Sequence, residues 1–142
     1  DDLRTESALV RTIGNALRAH GGVSRDEDGH DRTFVRRARE MLAADLDRKV
    51  TLRDMASTLG VSQYHFLRAF KRQTGVPPHV FRTQRRVELA RNLVRRGTPL
   101  SEVAQLAGFA DQPHFTNTFK LYTGVTPGHY AARTAHAPST SL

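Results

Sequence analysis

Two segments of this chain are copies of one pattern, and that repeat limits the fold more than any other feature. Thr51 to Pro78 reads TLRDMASTLGVSQYHFLRAFKRQTGVPP, and Pro99 to Pro127 reads PLSEVAQLAGFADQPHFTNTFKLYTGVTP. Leu52, Ala56 and Gly60 recur 48 residues on as Leu100, Ala104 and Gly108. His65, Phe66, Phe70, Lys71, Thr74, Gly75, Val76 and Pro78 recur 49 residues on as His114, Phe115, Phe119, Lys120, Thr123, Gly124, Val125 and Pro127. One residue is therefore inserted in the second turn, near Ala110. Agreement of this density marks one structural unit used twice.

The local signals within each copy are helical. Thr51 is an N-cap with Asp54 three residues on, and Gly60 can take the positive φ of a tight turn. Ser62 caps a second helix that Gly75 stops. A helix, a glycine turn and a second capped helix form a helix-turn-helix. In the second copy Asp111 caps the second helix, and Pro113 falls in its first turn, where N–H groups lack partners in any case. Between the copies, apolar residues at helical spacing from about His79 to Arg96 predict one long linker helix ended by Gly97. A short helix is expected around Tyr130, and another over Phe34 to Leu46. Leu3, Leu9, Ile13 and Leu17 predict an extra N-terminal helix, stopped by Gly21-Gly22.

The expected fold class is all-α, two helix-turn-helix subdomains joined by the linker helix. The expected divisions are a separate N-terminal helix over 1–20, a flexible linker over 21–31, the double unit over 32–135 and a disordered tail over 136–142. At 1.5 Å per residue the linker helix spans roughly 27 Å. Adding the width of the units brings their second helices near the ~34 Å pitch of B-DNA.

Charge is split along the chain. Residues 1–47 hold 8 Lys+Arg against 10 Asp+Glu, and residues 48–142 hold 14 against 4. The repeat thus carries a net +10 where the rest carries −2. A basic domain attracts polyanions through counterion release, so double-stranded DNA is the expected partner. The competing explanation of the charge is a solubilising surface. No apolar run approaches 18 residues, so no membrane partner is expected. The absence of cysteine excludes disulfides and thiolate chemistry and suits a cytoplasmic protein.

Helical spacing divides each second helix into two faces. In the first, Phe66, Ala69, Phe70 and Gln73 share the packed side, leaving Gln63, Tyr64, Leu67, Arg68 and Lys71 toward a groove. The matching surface of the second copy is Gln112, Pro113, Thr116, Asn117 and Lys120. A guanidinium fits guanine O6 and N7 together, which makes Arg68 the expected base reader, with a phosphate clamp as the alternative. Gln112 and Asn117 can hold adenine or stay solvated, and Leu67 and Thr116 can meet a thymine methyl. His65 and His114 are expected to bond phosphate or backbone, not metal, because a metal needs ligands converging on one point. Lys71 and Lys120 suit phosphate or the C-terminal helix dipole. Phe66, Phe70, Phe115 and Phe119 are core. Most linker-helix arginines are read as a solvated face or as intrahelical partners such as Arg85–Glu88.

With these residues in view, the span from about Phe34 to Ala132 resembles the DNA-binding domain of the AraC/XylS family of bacterial transcription regulators. LGVSQYHFLRAFKRQTG, RRVELARNLV and above all GFADQPHFTNTFKLYTGVTPGHY carry the resemblance. It implies a homeodomain-like, seven-helix fold with both second helices in the major groove. It implies transcription control, usually activation through RNA polymerase, with no cofactor. It further implies that residues 1–20 end a preceding effector-sensing domain. A small-molecule effector would act only through that domain, and the whole protein would be a homodimer while this part is mostly monomeric. The chain departs from the family where Asn117 replaces a frequent arginine and Pro113 a small polar residue. A nonspecific architectural nucleic-acid-binding protein is the alternative, and a specificity ratio near one would mark it. A repair methyltransferase would need a nucleophilic cysteine. No HExxH, phosphate-cradling glycine loop or GxSxG motif is present either, so no enzyme activity is expected.

Overall fold

The computed structural model describes residues 25–135, with side chains from Asp28 onward. The helix expected over 1–20 and the tail over 136–142 lie outside the described residues. Among the described residues there are seven α-helices and no strand. They are α1 (Arg25–Ala43), α2 (Leu52–Leu59), α3 (Gln63–Thr74), α4 (Pro78–Arg95), α5 (Leu100–Leu106), α6 (Gln112–Thr123) and α7 (Pro127–Ala135).

The chain forms two compact units, which divide within α4 between Arg82 and Thr83, with the short segment Leu46–Arg48 belonging to the second. The first unit holds α1, α2, α3 and the first turn of α4. On α1, Phe34, Val35, Ala38 and Leu42 make one buried stripe at helical spacing. It packs against Leu52, Met55 and Ala56 of α2, Phe66 and Phe70 of α3, and Phe81 of α4. The turn between α2 and α3 follows its sequence signals. Thr51 Oγ1 accepts from Asp54 N–H at 3.0 Å, Gly60 takes φ +72°, and Ser62 Oγ accepts from His65 N–H at 3.0 Å.

Residues 25–31, expected to be flexible linker, are instead the first two turns of α1. The physical reason is long-range. Asp31 is buried, and its carboxylate is bound by His65 and Arg72 of α3. That contact stabilises a polar, glycine-containing segment that local propensity would leave uncoiled. The other end of α1 is also set at a distance. Arg82 is buried and donates to the Leu42 and Asp45 carbonyls at 2.9 and 3.0 Å. The Leu42 carbonyl is one of the acceptors that a helix leaves open in its last turn.

The second unit repeats the plan with the remainder of α4 in the place of α1. Val87, Ala90 and Val94 of α4 pack with Val103 and Ala104 of α5 and with Phe115 and Phe119 of α6. The inserted residue sits in the turn, where Phe109 is buried against Phe115 (ring centroids 5.1 Å) and Ala110 is exposed. Asp111 then caps α6, accepting from His114 N–H at 2.7 Å. Gly108 is required twice over. Its φ is +85°, and a Cβ there would stand 1.9 Å from the Leu46 carbonyl oxygen. Arg86 Nε donates to that same oxygen at 3.0 Å. The ends of α3 and α6 are bonded alike. Thr74 Oγ1 lies 2.8 Å from the Phe70 carbonyl and Thr123 Oγ1 2.7 Å from that of Phe119, and each hydroxyl accepts a backbone N–H two residues on.

Candidate nucleic-acid interface

The second helix of each unit carries the side chains the sequence points to. On α3, Gln63, Tyr64, Arg68 and Lys71 are all partly exposed. Tyr64 and Arg68 line a cleft of about 340 Å³ together with Asp31, Ser62, His65, Ala69 and Arg72. No carboxylate lies within ion-pair distance of Arg68 among the described residues. Its guanidinium is therefore uncommitted by charge.

Two expectations on α3 need correction. Leu67, expected in the groove, is only 5% exposed and belongs to the core of the first unit. The face division assumed that α3 packs on α2 alone. In fact α1 packs on α3 as well, which widens the buried arc of the helix by one position. His65, expected to bond phosphate or backbone, is bound through Nε2 to Asp31 Oδ1 at 2.7 Å. A carboxylate only accepts, so Nε2 carries the donated proton. The imidazole also stands edge-on to Phe34, with centroids 5.3 Å apart.

On α6, Gln112, Pro113, Asn117 and Lys120 are exposed and Thr116 is half-buried. Pro113 lies in the first turn, where it leaves no bond unmade. His114 is exposed, its ring against Phe109 at 5.6 Å. The two helices thus present different chemistry from one scaffold. A guanidinium and a phenol stand out on α3, and two carboxamides flank a proline on α6.

The arginines of α4 do not behave alike. Arg85 pairs with Glu88 at 3.0 Å, as the spacing predicts. Arg82 donates to the Leu42 and Asp45 carbonyls, and burial pushes the Arg86 guanidinium down from its ordinary value. Sequence reasoning missed Asp31, Arg72 and Arg82. Their partners lie 34 to 41 residues away, beyond any local pattern. Among the described residues no three His, Asp or Glu side chains gather as a metal site, and no helix is long and apolar enough to cross a membrane.

Comparison with known proteins agrees with this arrangement. The family described as "Helix-turn-helix domain" matches residues 55–133, more than half of the chain. The multiple antibiotic resistance protein MarA of Salmonella typhimurium is 30% identical over 96 residues, covering 67% of this chain and 76% of MarA. The chain belongs to the AraC/XylS family. It carries that family's helix-turn-helix domain. The probable transcriptional regulator LumQ of Photobacterium leiognathi is 30% identical over 129 residues, 88% of this chain. The chain spans about half of LumQ, 52% of its length. The AraC-type fold recurs in the DNA-binding domain of AdpA, solved with a target DNA. The TM-score there is 0.69 at 23% identity, covering 74% of this chain and 96% of that one.

Proposed function

We propose that residues 25–135 are the sequence-reading output module of a transcription activator, placing α3 and α6 in successive major-groove segments on one face of a duplex. The observation that supports this reading is the pairing of a repeated scaffold with two non-identical exposed surfaces. Gln63, Tyr64, Arg68 and Lys71 form one, and Gln112, Pro113, Thr116, Asn117 and Lys120 form the other. Equal scaffolds with unequal faces suit an asymmetric site of two half-sites read by a single chain.

Within that reading Arg68 contacts guanine, Gln112 and Asn117 contact adenine edges, and Lys71 and Lys120 contact phosphates. RNA polymerase is the proposed downstream partner, and the cytoplasm the proposed location. Selection of bound duplexes from a random pool tests the first part. The expected result is an asymmetric motif with two information-rich blocks about 10–10.5 base pairs apart. Arg68→Ala should flatten one base position and cost roughly 1–3 kcal/mol at the selected site. Uniform weakening on all sequences would reassign Arg68 to the phosphate backbone. An affinity ratio near one between selected and random duplex would favour the architectural alternative. Reporter transcription from a promoter carrying the selected site tests activation.

A further inference from the structure

Two guanidiniums project from α3, at Arg68 and Arg72, and they line the same cleft one helical turn apart. Only one of them is tied. Arg72 donates to Asp31 Oδ2 at 2.7 Å and lies 3.9 Å from Asp28 Oδ1. His65, on the same strip of the helix, is held by the other Asp31 oxygen. The Asp31 side chain is 4% exposed, whereas Arg72 and His65 are 35% and 42% exposed. Both bonds are short and charge-assisted, the strong class of hydrogen bond. A buried carboxylate with each oxygen engaged is thus a rigid anchor for two half-exposed donors.

The second unit has no counterpart. The position equivalent to Arg72 is Leu121, 82% exposed, and His114 rests on Phe109 instead of a carboxylate. The restraint therefore belongs to one reader helix and is not a requirement of the scaffold.

We propose that Asp31 is a positioning and specificity-determining residue: it holds Arg72 and His65 away from DNA phosphates, so that of the two α3 guanidiniums only Arg68 enters the groove. This rests on the major-groove reading of α3. Its logic is electrostatic. An unrestrained arginine beside the reader would bind any phosphate, raising affinity for every sequence alike and diluting base discrimination.

The salt dependence of duplex binding tests this, because the slope of log K against log salt counts phosphate contacts at about 0.9 each. Binding to the selected site and to random duplex would be measured at one fixed pH for every variant. Asp31→Asn should steepen the slope by about 0.9 and lower the specific-to-random affinity ratio several-fold. Asp31→Asn with Arg72→Gln should return the slope to the wild-type value, which a change in stability would not do, whereas Asp31→Asn with Arg133→Gln, of the same net charge but at an exposed arginine of α7, should keep it steep. Arg72→Gln alone should leave the slope unchanged, and this arm keeps the proposal refutable even if Asp31→Asn fails to fold. A slope about 0.9 shallower in Arg72→Gln would show Arg72 on phosphate already and overturn the proposal. So would a folded Asp31→Asn protein with wild-type slope and ratio. A wild-type chain that binds no duplex would overturn the major-groove reading itself, an outcome distinct from either.

Discussion

Gly60 and Gly108 hold the same place in the two repeats, yet substitution should cost very different amounts. Both have positive φ, +72° and +85°, which an alanine adopts at about 1–2 kcal/mol. Around Gly60 a Cβ meets nothing within 4 Å, so Gly60→Ala should cost only that conformational term. Around Gly108 a Cβ would lie 1.9 Å from the Leu46 carbonyl oxygen and 2.6 Å from its carbon. Backbone atoms cannot swing aside as a flexible side chain can, so residue 46 must move. That movement breaks the bond from Arg86 Nε, a charged-donor bond worth about 1.5–3 kcal/mol. Gly108→Ala should therefore cost about 2.5–5 kcal/mol. Urea titration followed by amide NMR signals of each unit separately would read both values. The Gly108 variant should lower the midpoint of the second unit far more than the Gly60 variant lowers that of the first. Equal costs would refute the steric argument and leave backbone conformation as the whole effect.

Other perturbations have similarly direct readings. Phe115→Ala removes a fully buried ring and should cost about 3–5 kcal/mol in denaturant unfolding, and an unchanged midpoint would contradict its place in the core. Asp111→Ala removes the α6 cap and should cost about 0.5–2 kcal/mol, with Asp111→Asn restoring most of it. Residues 25–135 should sediment as a monomer alone and bind one selected duplex at 1:1, because the repeat supplies both readers, and a tight dimer would contradict this.

What was legible beforehand is the part that local chemistry decides. Thr51, Ser62 and Asp111 cap the helices they precede, because a short side chain and an N–H three residues on need no distant partner. The four repeated phenylalanines are all fully buried, since helical period alone fixes their side. Leu67 went the other way because the width of a buried face depends on how many helices cover it, and α1 is an extra cover. The first turns of α1 read as linker because Asp-rich, glycine-containing sequence has poor helix propensity. The ion pairs that hold it come from α3, far along the chain. Of the reader residues, exposure follows the periodic pattern at Gln63, Tyr64, Arg68, Lys71, Gln112, Pro113, Asn117 and Lys120. It fails only where a third helix intervenes.

The position of Arg82 has a consequence for dissecting the molecule. The repeat in the sequence suggests a cut after Pro78, where the first copy ends. A fragment ending there would lack Phe81, which stands edge-on to Phe70 at 5.5 Å, and Arg82, which closes the end of α1. The boundary between folding units falls inside a helix, one turn beyond the boundary between sequence copies. Half-site readers meant for recombination should therefore be joined after Arg82, so that each transplanted first unit carries the turn that completes it.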